Sequence, residues 1–541
     1  MRFDWPARLN QEVVSSFYRE GWWTKATASD WLESAARSSP DATALVDASQ
    51  RLTYQQYAQR ARNLAASFVA LGLGRDDLIA IQLPNCVEFA LTVNAAMLAG
   101  IPFCQMHHGF RSKEVRFALG FANARAVVIR QEYRGFDYLA MIRDLQGDLP
   151  NLCHVIAIAD SVAPDCIDFD AAARRSPNPE DERRLRAAKP ESDDICRVAF
   201  TSGTTGDPKA VVHTHNTSNS TARSSARDQC LTARSAMLLF LPVGLNWGLG
   251  CTMQALNAGA KLVYMDRFDA PEALSLIQRE RITHFVTAPA SLDALVDAAE
   301  RAKYDLSSLE VMVTGGASCS PEILRRARLR LPGCLVDMYG MLESGVQSRT
   351  YLDDDPEEVM GTVGRPTVEA KARVADEHDV PVGTGIVGQV ECFGPSVMLG
   401  YLNNPAANAS AFSADGWFRT GDLGVFDERG LLRIVGRTKE MIIRGGANVY
   451  PREIEEVLFE HPKVADCAVV GAPHPRLGET VVACVVPRPG TTLSFDEMIA
   501  FLERRVARYK LPERLYITEQ LPRGPTGKVQ KGSLVALIAR T

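Results

Sequence analysis

The sequence predicts an α/β protein: a large N-terminal domain of mainly parallel αβ subdomains plus a β subdomain, followed by a small α+β C-terminal domain. Three observations lead there. From about residue 75, short β-rich runs alternate with helix-length stretches, the pattern of a parallel sheet with helices on its faces. Between about 361 and 435 the texture changes to alternating strands and turn residues, as in KARVAD, GQVECF and LLRIVG. Finally, 541 residues exceed what one core organises, and the segment after Gly436 reads as a compact tail of its own.

Taken in order, LIAIQL (78–83) is an apolar strand stopped by Pro84, and a helical run follows it to Gly100. ARRSPNPEDERRLRAAKPESDD (173–194) reads as a polar surface connection. The uncharged run from Ser235 to Ala260 is long enough to cross a bilayer. Pro242, Asn246, Gln254, Asn257 and four glycines interrupt it, so a buried strand–loop–helix unit is expected and no stable membrane insertion. KLVYM (261–265), THFVTA (283–288), EVMVTGG (310–316) and CLVDMYG (334–340) are further strands, separated by helix-length segments such as PEALSLIQRER. The tail reads AVVGAPH, ETVVACVVP and a helix from Ser494. The expected division is 1–436 and 437–541, with a hinge near 437–439.

The composition is that of an ordinary soluble globular chain. A net charge of −5, with no basic stripe, argues against a nucleic-acid partner. The opening MRFDWPARLNQ has Asp4 and Pro6 where a signal peptide would be apolar. Twelve cysteines lie scattered without CxxC pairs, so a reduced, cytoplasmic setting is expected. GTGIVG (383–388) matches GxGxxG by letter, but a strand follows it instead of a helix, so a hairpin turn is the better account.

TSGTTGDPK (201–209) offers almost nothing to a core. Its glycines let backbone N–H groups turn toward an anion, its hydroxyls add donors, and Lys209 adds positive charge. The spacing to the lysine is wrong for a Walker A loop. Phosphate binding is the expectation, against a solvated loop as the bland alternative.

TSGTTGDPK, YGMLE (339–343), GYLNNP (400–405), GWFRTGDLG (416–424), GRTKEMIIRGGANVYPREIE (436–455), YKLP (509–512) and LPRGPTGKVQK (521–531) together resemble the motifs of the adenylate-forming superfamily, in its order and spacing. That superfamily includes acyl- and aryl-CoA synthetases, aryl acid adenylating enzymes and peptide-synthetase adenylation domains. The resemblance implies ATP, Mg2+ and CoA, or a carrier-protein phosphopantetheine, acting on a small carboxylic acid. It assigns ATP to Thr201, Ser202, Gly203, Thr204, Thr205, Gly206, Lys209, Gly315, Gly316, Ala317, Asp337, Tyr339, Gly340, Met341, Asp422 and Arg437. Glu343 would hold the metal and Lys528 would be the catalytic lysine. Lys439 would be the hinge about which the small domain turns between half-reactions, bringing Gly445 and Gly446 to the thiol step. Asn246, Trp247, Gly316 and Gly340 would line the acyl pocket.

The chemistry agrees with the residues present. A carboxylate is already ionised at neutral pH and needs no base to attack phosphorus, so no Ser–His–Asp or Cys–His set is required. His213 and His215 are expected to be packed or capping residues. Three positions depart from the common pattern: Ala210 after the loop lysine, Leu342 where YGxTE has threonine, and Leu245 where many relatives carry histidine or an aromatic. The pair Asn246–Trp247, with FYREGWW and RLTYQQY, resembles the 2,3-dihydroxybenzoate-adenylating branch and its alicyclic and aromatic CoA-ligase neighbours. An indole face beside a carboxamide suits a ring acid; a core role for Trp247 is the other reading. The expectation is a cyclic or aryl acid CoA ligase, monomeric or homodimeric. The alternatives are a stand-alone AMP ligase that loads a carrier protein and, from another class, a non-catalytic nucleotide-binding protein.

Overall fold

The computed structural model describes residues 9–201, 208–317, 319–524 and 528–538. Within them, a nine-stranded sheet runs in the order Arg365–Pro366, Gly345–Arg349, Cys334–Met341, Val311–Gly315, His284–Thr287, Ala236–Leu239, Lys261–Tyr264, Thr43–Val46, Arg51–Thr53. Its six central strands are parallel. An eight-stranded sheet orders Gly400–Tyr401, Ala210–Thr214, Ile195–Phe200, Phe103–Gln105, Ile79–Gln82, Ala126–Arg130, His154–Ile158, Ile167–Asp168. Ile79–Gln82 is buried along its whole length, as a strand covered on both faces must be.

Helix Val87–Leu98 is apolar all round and lies inside the core that joins the two sheets. Ile79, Ile81 and Phe103 from one sheet and Met237, Leu239 and Val313 from the other belong to that same core. Ahead of the alternating region, helix Tyr54–Ala70 starts at a Thr53/Gln56 capping box. Strand Thr43–Val46, also from that region, pairs in parallel with Lys261–Tyr264.

The run 235–260 divides as expected into strand Ala236–Leu239 and helix Asn246–Ala258. No helix among the described residues is long and apolar enough to cross a membrane. The segment 173–194 differs from its expected form as a surface connection, because Pro179–Ala188 is a helix. Asn178 caps it by accepting from the Glu180 and Asp181 amides, Pro179 occupies its first turn, and the acids there meet the positive helix end. These end effects stabilise a helix that has almost no apolar stripe. Leu185 is its buried apolar residue, and Glu182 pairs with Arg62 of the Tyr54–Ala70 helix.

Strands Lys371–Ala375, Gly388–Phe393, Phe418–Phe426 and Leu432–Arg437 form the antiparallel β subdomain. GTGIVG ends the connection between its first two strands, with Gly385 at φ +78°. After the 3₁₀ turn Thr438–Glu440, the small domain builds a five-stranded sheet with its own core, including Ile442, Ile454, Val469, Val481 and Met498. Its hairpin Ile442–Arg444/Ala447–Val449 turns on Gly445 and Gly446, both at positive φ, as a two-residue type I′ turn requires.

Candidate active site

Three strands converge at the edge between the large sheet and the β subdomain. Tyr339, from Cys334–Met341, donates its hydroxyl to Asp422 Oδ2 at 2.7 Å. Asp422 and Arg437 stand opposite each other in the antiparallel ladder, and Arg437 Nε reaches Asp422 Oδ1 at 3.0 Å. Asp422 is buried, so its charge is taken up by one cation and one phenol. Burial, and then the Asp422 charge, push the Tyr339 pKa far up. Burial opposes the Arg437 charge, yet Asp422, Glu440, Tyr339 and Glu343 more than offset it and raise that pKa.

Lys528 comes from the small domain and lies in this field. Desolvation by the cleft lowers its pKa first and Arg437 adds to that, while Asp422, Glu343 and Glu440 pull the other way. Lys531, three residues on, pairs with Glu440 of the 3₁₀ turn at 3.3 Å and with Glu455 of helix Pro451–Phe459 at 2.7 Å. The predicted residues Tyr339, Asp422, Arg437, Glu343 and Lys528 are therefore brought together.

At the base of the glycine-rich loop, Thr201 N–H donates to Lys209 O at 2.9 Å and Lys209 N–H to Thr201 Oγ1 at 3.1 Å. Ser202, Gly203, Thr204, Thr205 and Gly206 lie outside the described residues. Lys209 Nζ sits 4.6 Å above the Tyr401 ring, and Tyr401 donates to Glu343 Oε1 at 3.2 Å. Burial raises the Glu343 pKa, with Tyr401, Lys209 and Arg437 opposing it. A carboxylate whose proton affinity is raised this way would gain from a hard cation. Tyr401 lies inside the GYLNNP motif, yet the sequence reading gave it no role. Leu342 offers its carbonyl to His213 Nε2–H at 2.8 Å, and His213 and His215 are both packed.

The acyl side is built on close approach. Trp247, in the first turn of helix Asn246–Ala258, lies against Gly315 and Gly316; a Cβ on either would fall 3.2 or 3.0 Å from its indole. Gly316 has φ +72°. Gly340 is equally confined, because a Cβ there would collide with the Gly345 carbonyl. Trp247 is half-buried, with part of the indole packed on the core and part left open. Asp337, on the same strand as Tyr339 and Gly340, has its pKa raised to about 7 by burial, with Arg452 of the small domain and Arg328 acting against this. Gly445 and Gly446 are held within the small domain, where Gly445 N–H donates to Leu477 O at 2.8 Å.

An α/β fold with a large N-terminal and a small C-terminal domain, which sets a lysine of the small domain in the field of a Tyr–Asp–Arg cluster, is that of an adenylate-forming enzyme. The chain belongs to the AMP-binding enzyme family: that family's model matches residues 32–402, and the AMP-binding enzyme C-terminal domain matches 453–528. It is 34% identical over 512 residues to the Rhodococcus jostii 3-[(3aS,4S,7aS)-7a-methyl-1,5-dioxo-octahydro-1H-inden-4-yl]propanoyl:CoA ligase, covering 93% of this chain and 97% of that one. To the salicylyl-CoA synthase / salicylate adenylyltransferase of a Streptomyces species it is 33% identical, covering 98% and 96%. The Bacillus subtilis 2,3-dihydroxybenzoate-AMP ligase is 32% identical over the same shares. Among solved structures, ATP-bound MatB from Rhodopseudomonas palustris superposes with a TM-score of 0.85 at 27% identity, covering 95% of this chain and 99% of that one. The protein is an AMP-forming acid–thiol ligase.

Proposed function

We propose that this enzyme joins a cyclic or aryl carboxylic acid to ATP, releases pyrophosphate, and passes the acyl group from the resulting adenylate to the thiol of CoA. The observation that carries this reading is the Tyr339–Asp422–Arg437 cluster, with Lys528 in the field of its charges. In the first step a carboxylate oxygen of the acid bonds to the α-phosphorus while the bond to pyrophosphate breaks. Negative charge gathers at that phosphorus and on the leaving group, where Lys528, Lys209 and the donor-rich loop 201–209 would stabilise it electrostatically. Asp422 and Arg437 would hold the ribose hydroxyls, and Gly315, Gly316, Ala317, Asp337, Tyr339, Gly340 and Met341 would frame the adenine and the acyl phosphate.

Glu343 fits a magnesium ion, being a half-buried oxygen donor whose protonation is favoured by burial. When bound, the ion would neutralise charge on the phosphates. Among the described residues no group of three or more His, Cys, Asp or Glu could hold a metal, so Glu343 would act as a single carboxylate beside substrate oxygens.

The proposed division at 436/437 falls one residue before the last strand of the β subdomain ends at Arg437 and the 3₁₀ turn begins at Thr438. Rotation about Lys439 would remove Lys528 and bring Gly445 and Gly446 to the thiol. A ring substrate is supported by the open face of Trp247 beside Gly315 and Gly316, and by relatives named for salicylate and dihydroxybenzoate. Twelve free cysteines support a reducing, cytoplasmic setting.

The test is acid-dependent exchange of labelled pyrophosphate into ATP over benzoic, alicyclic and fatty acids, followed by addition of CoA to the best responder. Exchange led by ring acids, with release of an acyl-CoA, is expected. Exchange without acyl-CoA would move the acceptor to a carrier protein; exchange led by linear fatty acids would overturn the ring assignment.

A further inference from the structure

Strand Ile195–Phe200 carries an arginine at its centre. Arg197 is 5% exposed, and its Nε and Nη1 have no hydrogen-bond partner among the described residues. Burial lowers its pKa to about 10, and the Cys196 thiol, not a carboxylate, is what acts against that. Across the sheet Arg197 stands opposite Phe103 on one side and His213 on the other, so the three share a face. Gln105, two residues beyond Phe103, shares it too; it is 4% exposed and its Oε1 lacks a partner. His213 cannot balance the charge. Its Nε2–H donates to Leu342 O, which leaves Nδ1 to accept from the Thr217 hydroxyl at 3.1 Å, so the ring is neutral and fully used.

This row of side chains lies between the two halves of the site. Gln105 precedes Met106, whose carbonyl is so closely overlaid by Gly244 that a Cβ there would collide with it; Gly244 is three residues before Trp247. On the other side, the His213 bond to Leu342 places the row next to Glu343. A buried guanidinium with no counter-charge is a costly arrangement unless something supplies the anion. Water can satisfy its N–H groups but brings no charge.

We propose that Arg197 receives a second carboxylate, carried by the substrate acid away from the carboxylate that is activated, so that the preferred substrates are cyclic or aryl dicarboxylic acids. The inference rests on the adenylation reading above. A guanidinium fork pairs two N–H groups with the two oxygens of a carboxylate. An inorganic anion would satisfy the same charge, and the test separates the two.

Pyrophosphate exchange is compared for terephthalate against benzoate, and for cyclohexane-1,4-dicarboxylate against cyclohexanecarboxylate, in the wild type, Arg197→Met and Arg197→Lys. Thermal unfolding of each is followed with the same acids without ATP, and with chloride or phosphate alone. The wild type is expected to favour the diacid by about 10²-fold in kcat/KM. Arg197→Met should lose far more on the diacid than on the monoacid, chiefly through KM, and Arg197→Lys should recover part of it. The diacid should raise the melting temperature of the wild type but not of Arg197→Met. Unliganded Arg197→Met should melt no lower than the wild type, because an uncompensated charge has been removed. Equal loss on both acids, a lower melting temperature for unliganded Arg197→Met, absence of any diacid preference or diacid shift, or a shift by chloride or phosphate as large as the diacid's would each overturn the proposal. If no acid supports exchange while the diacid still stabilises the wild type through Arg197, the adenylation reading fails and the anion subsite stands.

Discussion

Lys528 carries the sharpest prediction at the scale of single residues. It lies in the field of Asp422 and Arg437, and under the proposed rotation its charge would serve only the first half-reaction. Lys528→Ala is expected to lose acid-dependent pyrophosphate exchange by roughly 10²–10³-fold, the range for removing one donor to developing charge. Exchange at the wild-type rate in that variant would refute the role. Much of this cluster was legible in the sequence, because Tyr339, Asp422, Arg437 and Lys528 each sit in a short motif whose spacing is informative. Tyr401 and Arg197 were not. Tyr401 matters through its hydroxyl on Glu343 and its ring beneath Lys209, which are contacts between distant segments. Arg197 looks like one more strand residue until its partners are sought and not found.

Secondary-structure elements set where these side chains point. Trp247 is aimed at Gly315 and Gly316 because it lies in the first turn of helix Asn246–Ala258, which follows a strand of the same sheet. Trp247→Leu is expected to lower kcat/KM for ring acids by about 2- to 13-fold while changing linear acids little, in keeping with an aromatic contact of about 0.5–1.5 kcal/mol beyond area burial. A uniform loss on both would assign the indole to the core. Under the proposed rotation, the 3₁₀ turn Thr438–Glu440 would be the element on which the second half-reaction depends. Proline fixes φ near the 3₁₀ value, so Lys439→Pro should hold the closed arrangement, sparing exchange and slowing acyl-CoA release; equal damage to both steps would count against the hinge. Periodicity revealed the parallel strands because buried strands are continuous apolar runs. It missed helix Pro179–Ala188, whose stability comes from Asn178, Pro179 and first-turn acids rather than from an apolar face.

For the molecule as a whole, Asp337 links pH to the relation between domains, since Arg452 of the small domain is the first group that opposes its raised pKa. The folded carboxyl titrates at about 7, above its ordinary value of 3.8, because burial disfavours the charged form. The folded state therefore binds the proton more tightly. This contribution is fully present below about 4 and is lost as the pH rises through about 7. Asp337→Asn lacks that loss, so its melting temperature should gain on the wild type between about pH 5 and pH 8; a constant difference would refute the assignment. The pairing of Thr43–Val46 with Lys261–Tyr264 has a further consequence. During synthesis, Thr43–Val46 can pair at once with Arg51–Thr53, but that pair waits for more than two hundred residues before Lys261–Tyr264 exists to join it to the sheet, whereas the strands from Ile79 to Thr214 can pair as they emerge. The seven strands of the second sheet that lie between Ile79 and Thr214 are thus placed to form first, ahead of Gly400–Tyr401 at its edge, and the N-terminal helices remain without a finished surface to rest on until half the chain is made. A nascent chain stalled before residue 261 should be readily cut by protease ahead of Ile79 and resist beyond it.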